Sequence, residues 1–95
     1  MKRYEIRRAD RAPVVIVSID TLNDVLSTVT VCPLTTQLHP AWRTRLGVKA
    51  GSRDAEIAVD QIRTISKSRI SKKLGSLTPE EAATLRRIIT EMYGE

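Results

Sequence analysis

Short β-branched runs separated by polar or proline-containing breaks occupy most of this chain, and a three-and-four apolar spacing emerges only near its C-terminus. The run VVIV at residues 14–17 lacks polar alternation, which predicts a strand buried on both faces and therefore central in its sheet. Residues 27–34 (STVTVCPL) give the strongest strand signal and lead through Pro33 to two adjacent hydroxyls, Thr35 and Thr36. Between these runs, the polar stretch 20–24 reads as a loop or a single helical turn. Weaker patterns predict a short edge strand at 4–8 with its arginines facing solvent, a compact turn at 9–12, and a loop at 37–40 closed by Pro40. They also predict a strand at 42–48, a polar turn at 51–54, a strand at 56–62, one helical turn at 66–70 and a brief edge strand at 72–74. Thr78-Pro79-Glu80-Glu81 then combines an N-cap threonine, a proline in the first helical position and a glutamate three residues after the cap. Leu85, Ile88, Ile89 and Met92 share one face of the helix that follows, and Gly94 can end it. The predicted class is α+β, mainly β, with a docked C-terminal helix.

Length and composition narrow the functional classes. Ninety-five residues suffice for one small domain over 1–95 and leave little room for a second core. Lysine and arginine number 16 against 11 acidic residues, and the net charge of +5 favours a polyanionic partner. Cys32 is the only cysteine, so no internal disulfide or cysteine-based metal site can form within one chain, and a reducing cytoplasm is the expected setting. The start, MKRYEIRRAD, lacks the apolar core of a signal peptide, and no later run is long enough to span a bilayer. Phenylalanine is absent and aromatics make up 3%, so the core must be aliphatic and extensive base stacking is not expected. A basic surface bearing hydroxyls suggests phosphodiester chemistry: arginine grips phosphate oxygens in a fork while a threonine hydroxyl donates to the same group. Nucleic acid is the substrate this implies.

Four segments, APVVIVS at 12–18, STVTVCPLTTQ at 27–37, VDQIRTISKSRI at 59–70 and KLGSLTPEE at 73–81, resemble the MazF/PemK/Kid toxins of bacterial toxin–antitoxin systems, in that family's order. The resemblance implies a small, barrel-like, strongly twisted antiparallel sheet with helices on it, and a homodimer. It further implies metal-free cleavage of single-stranded RNA at short sequences, with no cofactor, and inhibition by an antitoxin whose acidic, largely extended segment covers the RNA groove. In that family the substrate's 2′-hydroxyl is the nucleophile, and the products are a 2′,3′-cyclic phosphate and a 5′-hydroxyl. The protein then has to orient the phosphate, stabilise charge on its non-bridging oxygens and move two protons.

Carried over residue by residue, the resemblance makes Thr35 the phosphate anchor. The family's arginine precedes the proline of the first buried strand, where this chain has Ala12. Arg11 lies one position earlier and can substitute only if the turn, rather than the strand, carries it. The family's longer first loop, with its acidic residue, shrinks here to residues 9–12, leaving Asp10 as the nearest acid. His39, the single imidazole, is a further candidate for exchanging a proton with the leaving oxygen, although a surface-loop histidine is the plainer reading. Thr36 and Gln37 extend the site toward RNA. Gln61 and Arg63 would share a strand face along the RNA path, and Lys67 and Arg69, with Lys72 and Lys73, form a basic cluster that is either a solvated face or a guide for RNA. Trp42 reads as completing the core or the dimer interface, and Cys32 as an inert core thiol. The same fold family includes gyrase poisons resembling CcdB, which act by binding a protein. Those use an aromatic-Gly-aliphatic tail, whereas these residues end Tyr93-Gly94-Glu95.

Overall fold

The computed structural model describes residues 1–50 and 53–94. Its strands are β1 (Glu5–Ala9), β2 (Ala12–Ile16), β3 (Thr28–Thr35), β4 (Arg45–Ala50), β5 (Arg53–Ala58), β6 (Arg63–Ser66) and β7 (Ile70–Ser76). A short helix α1 (Asp20–Val25) joins β2 to β3, and α2 (Pro79–Tyr93) follows β7. All pairings are antiparallel, in the order β4-β5-β3-β2-β1-β7, with β6 added against β3. Strand β3 organises the sheet. One of its edges takes β2, and the other is shared, with β6 opposite Thr28–Val31 and β5 opposite Leu34 and Thr35.

The unbroken VVIV run is explained by two cores on opposite faces of one strand. Val15 and Val17 point into a cluster with Cys32, Leu34, Val48, Ile57, Val59 and the α2 residues Leu85 and Ile88. Val14 and Ile16 point the other way, to Ala9, Val29, Val31 and Ile65. The two-residue side-chain period thus splits a uniformly apolar segment between two interiors, as expected of a central strand. Cys32 is fully buried, and burial, aided by the charge of Asp60, pushes its thiol up to about 12. Helix α2 begins as the sequence predicts: the Thr78 hydroxyl accepts the Glu81 amide at 3.1 Å, and Glu81 accepts the Thr78 amide at 2.9 Å. Among the described residues no helix is long and apolar enough to cross a membrane.

Several expected boundaries move. The first strand is not an edge, because β7 extends over Ile70–Ser76 and pairs along it. Its partners make that placement tolerable for Glu5, which is only 6% exposed but bonded to Arg7 at 2.9 Å, to Lys73 at 3.4 Å and to the Lys2 amide at 3.1 Å. The 20–24 stretch is helical. The strand expected at 42–48 starts only at Arg45, since residues 40–44 are occupied by turns. The strand expected at 56–62 starts earlier, at Arg53, and gives way to a 3-10 turn at Val59–Gln61. Of the polar turn expected at 51–54, the first two residues lie outside the described residues, and Arg53 and Asp54 already belong to β5. The helical turn expected at 66–70 is a 3-10 turn at Lys67–Arg69.

Glu5 makes the sheet pH-sensitive. Burial disfavours its charged form, but the Lys2 amide, Arg7 and Lys73 outweigh burial and hold its carboxyl at about 2, against an ordinary 4.5. The folded value lies below the unfolded one, so this stabilisation is complete above about pH 4.5 and disappears as pH falls toward 2. Glu5→Gln is therefore expected to lose about 3 kcal/mol at pH 7 and to match the wild type near pH 2. Urea unfolding across that range measures it, and a pH-independent difference would refute the linkage.

Candidate functional site

The β1–β2 hairpin closes through only Asp10 and Arg11, because Ala9 pairs directly with Ala12. Asp10 has φ 57, a left-handed conformation that aspartate tolerates better than most residues. Val14 lies opposite Pro33 and Val15 opposite Cys32. Extending that register toward the tip brings Ala12 level with Thr35 and Arg11 level with Thr36, on strands about 5 Å apart. The tight turn therefore sits beside the end of β3, and Arg11 is carried by the turn rather than by the strand.

Thr35 is half-buried and its Oγ1 accepts the Gln37 amide at 3.0 Å. That bond fixes the hydroxyl while leaving its hydrogen free to donate, which is what an anion would need. Thr35 and Thr36 line a cavity of about 400 Å³ together with Pro13, Leu34, Ala55 and Arg53. Its floor is apolar, and among the described residues its rim carries two hydroxyls and one guanidinium with no carboxylate. Arg11, exposed at the tip, has no side-chain hydrogen bond or ion pair among the described residues.

Asp10 turns away from this cavity to Arg69, whose Nε donates to Oδ2 at 2.9 Å and whose Nη2 reaches the same oxygen. Arg69, opposed by desolvation and helped by the charge of Arg63, holds the Asp10 carboxyl below its ordinary range. At neutral pH Asp10 is thus a carboxylate, and the same ion pair makes it a weaker base than a free one. Asp10, Arg63 and Arg69 form one group beside the hairpin. Lys67 is drawn elsewhere: its amide donates to the Ser27 carbonyl at 2.9 Å and its ammonium donates to the carbonyl of Asn23 in α1. Gln61 and Arg63 do not share a strand face, since Gln61 ends a 3-10 turn and Arg63 begins β6.

The connection from β3 to β4 is held from beneath by Arg45. Its side chain is only 5% exposed, and it donates to Asp60 at 3.0 Å, to the Gln37 carbonyl at 3.3 Å and to Glu56 at 3.5 Å. The Arg45 guanidinium also lies 4.9 Å from the Trp42 ring centroid, and His39 stacks on Trp42 at 3.8 Å with an interplanar angle of 8°. Glu56, buried at 4% exposure, accepts the His39 amide at 2.8 Å. Trp42 thus completes no core: it remains 48% exposed as part of a braced surface stack. Desolvation acts against the charge on Asp60, but Arg45 and the Thr44 hydroxyl prevail and lower its pKa.

Two arginines that matter here, Arg45 and Arg53, escape a reading of the sequence. Arg53 falls in a segment whose polarity suggests a turn, and Arg45 in the middle of a stretch read as a strand from residue 42, on the face opposite Thr44 and Leu46. Pairing between β4 and β5, with Arg45 opposite Ala58 and Ala50 opposite Arg53, would have revealed both, but it depends on where each strand starts.

A family model described as PemK-like, MazF-like toxin of type II toxin–antitoxin systems matches residues 4–93. No curated protein sequence matches the chain. The fold is similar to that of the Mycobacterium tuberculosis toxin MazF-mt6, with a TM-score of 0.82 and 22% identity over 97% of this chain and 96% of that one. A mycobacterial endoribonuclease in complex with its cognate antitoxin superposes with a TM-score of 0.88 and 22% identity, over 99% and 95% of the two chains. MazE-MazF from Deinococcus radiodurans gives 0.86 at 18% identity, over 99% and 96%. At these identities the likenesses establish a shared fold: a mostly-β antiparallel half-barrel with a C-terminal helix.

Proposed function

The chain belongs to the PemK-like, MazF-like toxin family of type II toxin–antitoxin systems, and from that premise we propose that it is a sequence-specific endoribonuclease cleaving single-stranded RNA without a metal or other cofactor. The observation that carries this reading is the cavity at the end of β3, where Thr35 keeps a donor free beside a basic rim. In the proposed reaction the RNA 2′-oxygen attacks the adjacent phosphorus and the bond from phosphorus to the 5′-oxygen breaks, leaving a 2′,3′-cyclic phosphate and a 5′-hydroxyl. Thr35 donates to a non-bridging oxygen and orients the phosphate. His39 or Asp10 would assist proton movement, Asp10 only when released from Arg69, because the ion pair that lowers its pKa makes it a weaker base. Thr36, Gln37, Gln61, Arg63 and Arg69 would border the RNA path, and Lys67 adds positive field from its place against α1.

The setting proposed is a reducing cytoplasm, with one domain per chain, a cognate acidic antitoxin as inhibitor, and a homodimer. Helix α1 supports the dimer because its amphipathicity is reversed. Its buried residue is Asn23, satisfied by bonds to Ser18 and the Met1 carbonyl, while Ile19, Leu22, Val25 and Leu26 at its ends and outer face are 45–76% exposed. An apolar patch on the order of 400 Å² is large for one short helix and matches half of what each partner contributes to a stable interface. A second copy of the same face is its proposed occupant.

The test is incubation of the purified protein with long single-stranded RNA in excess chelator, with product ends identified by mass spectrometry. Cleavage leaving 2′,3′-cyclic phosphates is expected, and Thr35→Ala is expected to be about a hundredfold slower, the scale of losing one oriented donor. Intact RNA throughout, alongside inhibition of gyrase supercoiling, would instead assign a protein-binding toxin. Full activity of Thr35→Ala would remove the proposed anchor.

A further inference from the structure

We infer that Arg53, at the start of β5, is the guanidinium that meets the scissile phosphodiester, in place of an arginine at Ala12 and in preference to Arg11. This rests on the nuclease reading and adds a catalytic residue to it. Three features of the cavity carry the inference. Arg53 lines the same 400 Å³ space as Thr35 and Thr36, whereas Arg11 does not. The pairing of Leu34 with Ile57 and of Thr35 with Glu56, continued one step, sets Thr36 against Ala55. Arg53 is two residues from Ala55 and so shares its strand face, which is that of Leu34 and Thr36, while Thr35 alternates to the other face and borders the cavity from the end of β3.

Charge points the same way. The neighbouring carboxylate, Asp54, lies on the opposite face and is taken by Lys49 at 2.6 Å. Arg53 has no ion pair among the described residues and, with no carboxylate on the rim, its charge stands uncompensated beside two hydroxyls. The apolar floor of Pro13, Leu34 and Ala55 lowers the local dielectric and strengthens attraction for an anion entering there. Ala12, level with Thr35, carries only a methyl group, so the position adjoining the hydroxyl is left open for a phosphate approached from the β5 side. A guanidinium fits this task because its fork can hold two non-bridging oxygens while Thr35 donates to one of them.

Cleavage rates for Arg53→Ala, Arg53→Lys and Arg11→Ala test this, alongside binding of a single-stranded 2′-deoxy oligonucleotide that cannot be cleaved. Arg53→Ala is expected to lower kcat at least a hundredfold, Arg53→Lys to restore only part of it, and Arg11→Ala to change kcat less than threefold. In NMR spectra, the oligonucleotide should shift the Thr35 and Thr36 amides of the wild type and leave them unmoved in Arg53→Ala, with melting temperatures unchanged because Arg53 is exposed. Wild-type rates in Arg53→Ala with loss in Arg11→Ala would overturn the assignment while leaving the nuclease reading intact. If the wild type cleaves no RNA, the nuclease reading fails and the NMR arm still decides whether Arg53 builds a phosphodiester site: equal shifts in Arg53→Ala and wild type would refute it.

Discussion

Replacing Arg45 by methionine is expected to cost about 3–5 kcal/mol, enough to threaten the fold of so small a protein. The size follows from what the substitution leaves behind. Glu56, 5% exposed at its side chain, would lose a cation at 3.5 Å, and the more exposed Asp60 one at 3.0 Å, so a buried carboxylate would stand without compensation. The double variant Arg45→Met/Glu56→Gln should recover a large part of the loss, because breaking a buried pair costs more than removing both charges. Urea unfolding at neutral pH measures both. A single variant within 1 kcal/mol of the wild type would show that the pair carries little energy. The same change should free residues 36–44, since Arg45 is their grip on the Gln37 carbonyl and on Trp42.

A second large effect is expected from the reversed face of α1. Leu22→Asp/Val25→Asp places two charges in the proposed dimer contact, where they would have to be desolvated opposite their own copies. Dissociation should become at least a thousandfold easier, about 4 kcal/mol, and sedimentation velocity should show monomer at micromolar concentration. Both side chains are exposed in the single chain, so the monomer should keep its melting profile. A monomeric wild type, or an unchanged dimer in the variant, would place the interface elsewhere.

Local chemistry explains what was legible in the sequence. The α2 capping box, the doubly buried Val14–Val17 run and the buried thiol of Cys32 depend on neighbours within a few residues, or on a two-residue period, and the structure bears them out. The boundaries of β4 and β5 depend on cross-strand partners far along the chain. Arg45 shows why they were obscure: its burial follows from Glu56 and Asp60, which no local pattern connects to it. Trp42 escaped for the same reason, because its stack on His39 exists only through a turn closed by that arginine. For the candidate site, the hydroxyl pair at the end of β3 and the shortened hairpin were visible in advance. The role of Arg53 was not, since it rests on a strand face that is defined only once β5 is known to begin at that residue.

The two-residue closure of the first hairpin also sets how a substrate would be admitted. A long connection there could fold down as a flap, delaying arrival and departure until it moved and adding contacts only when shut. Asp10 and Arg11 are too short for such a gate, and the ion pair to Arg69 tethers the one that might swing. For the nuclease proposed here, the first hairpin then contributes no gate to selectivity between strands, and turnover should not be limited by its movement.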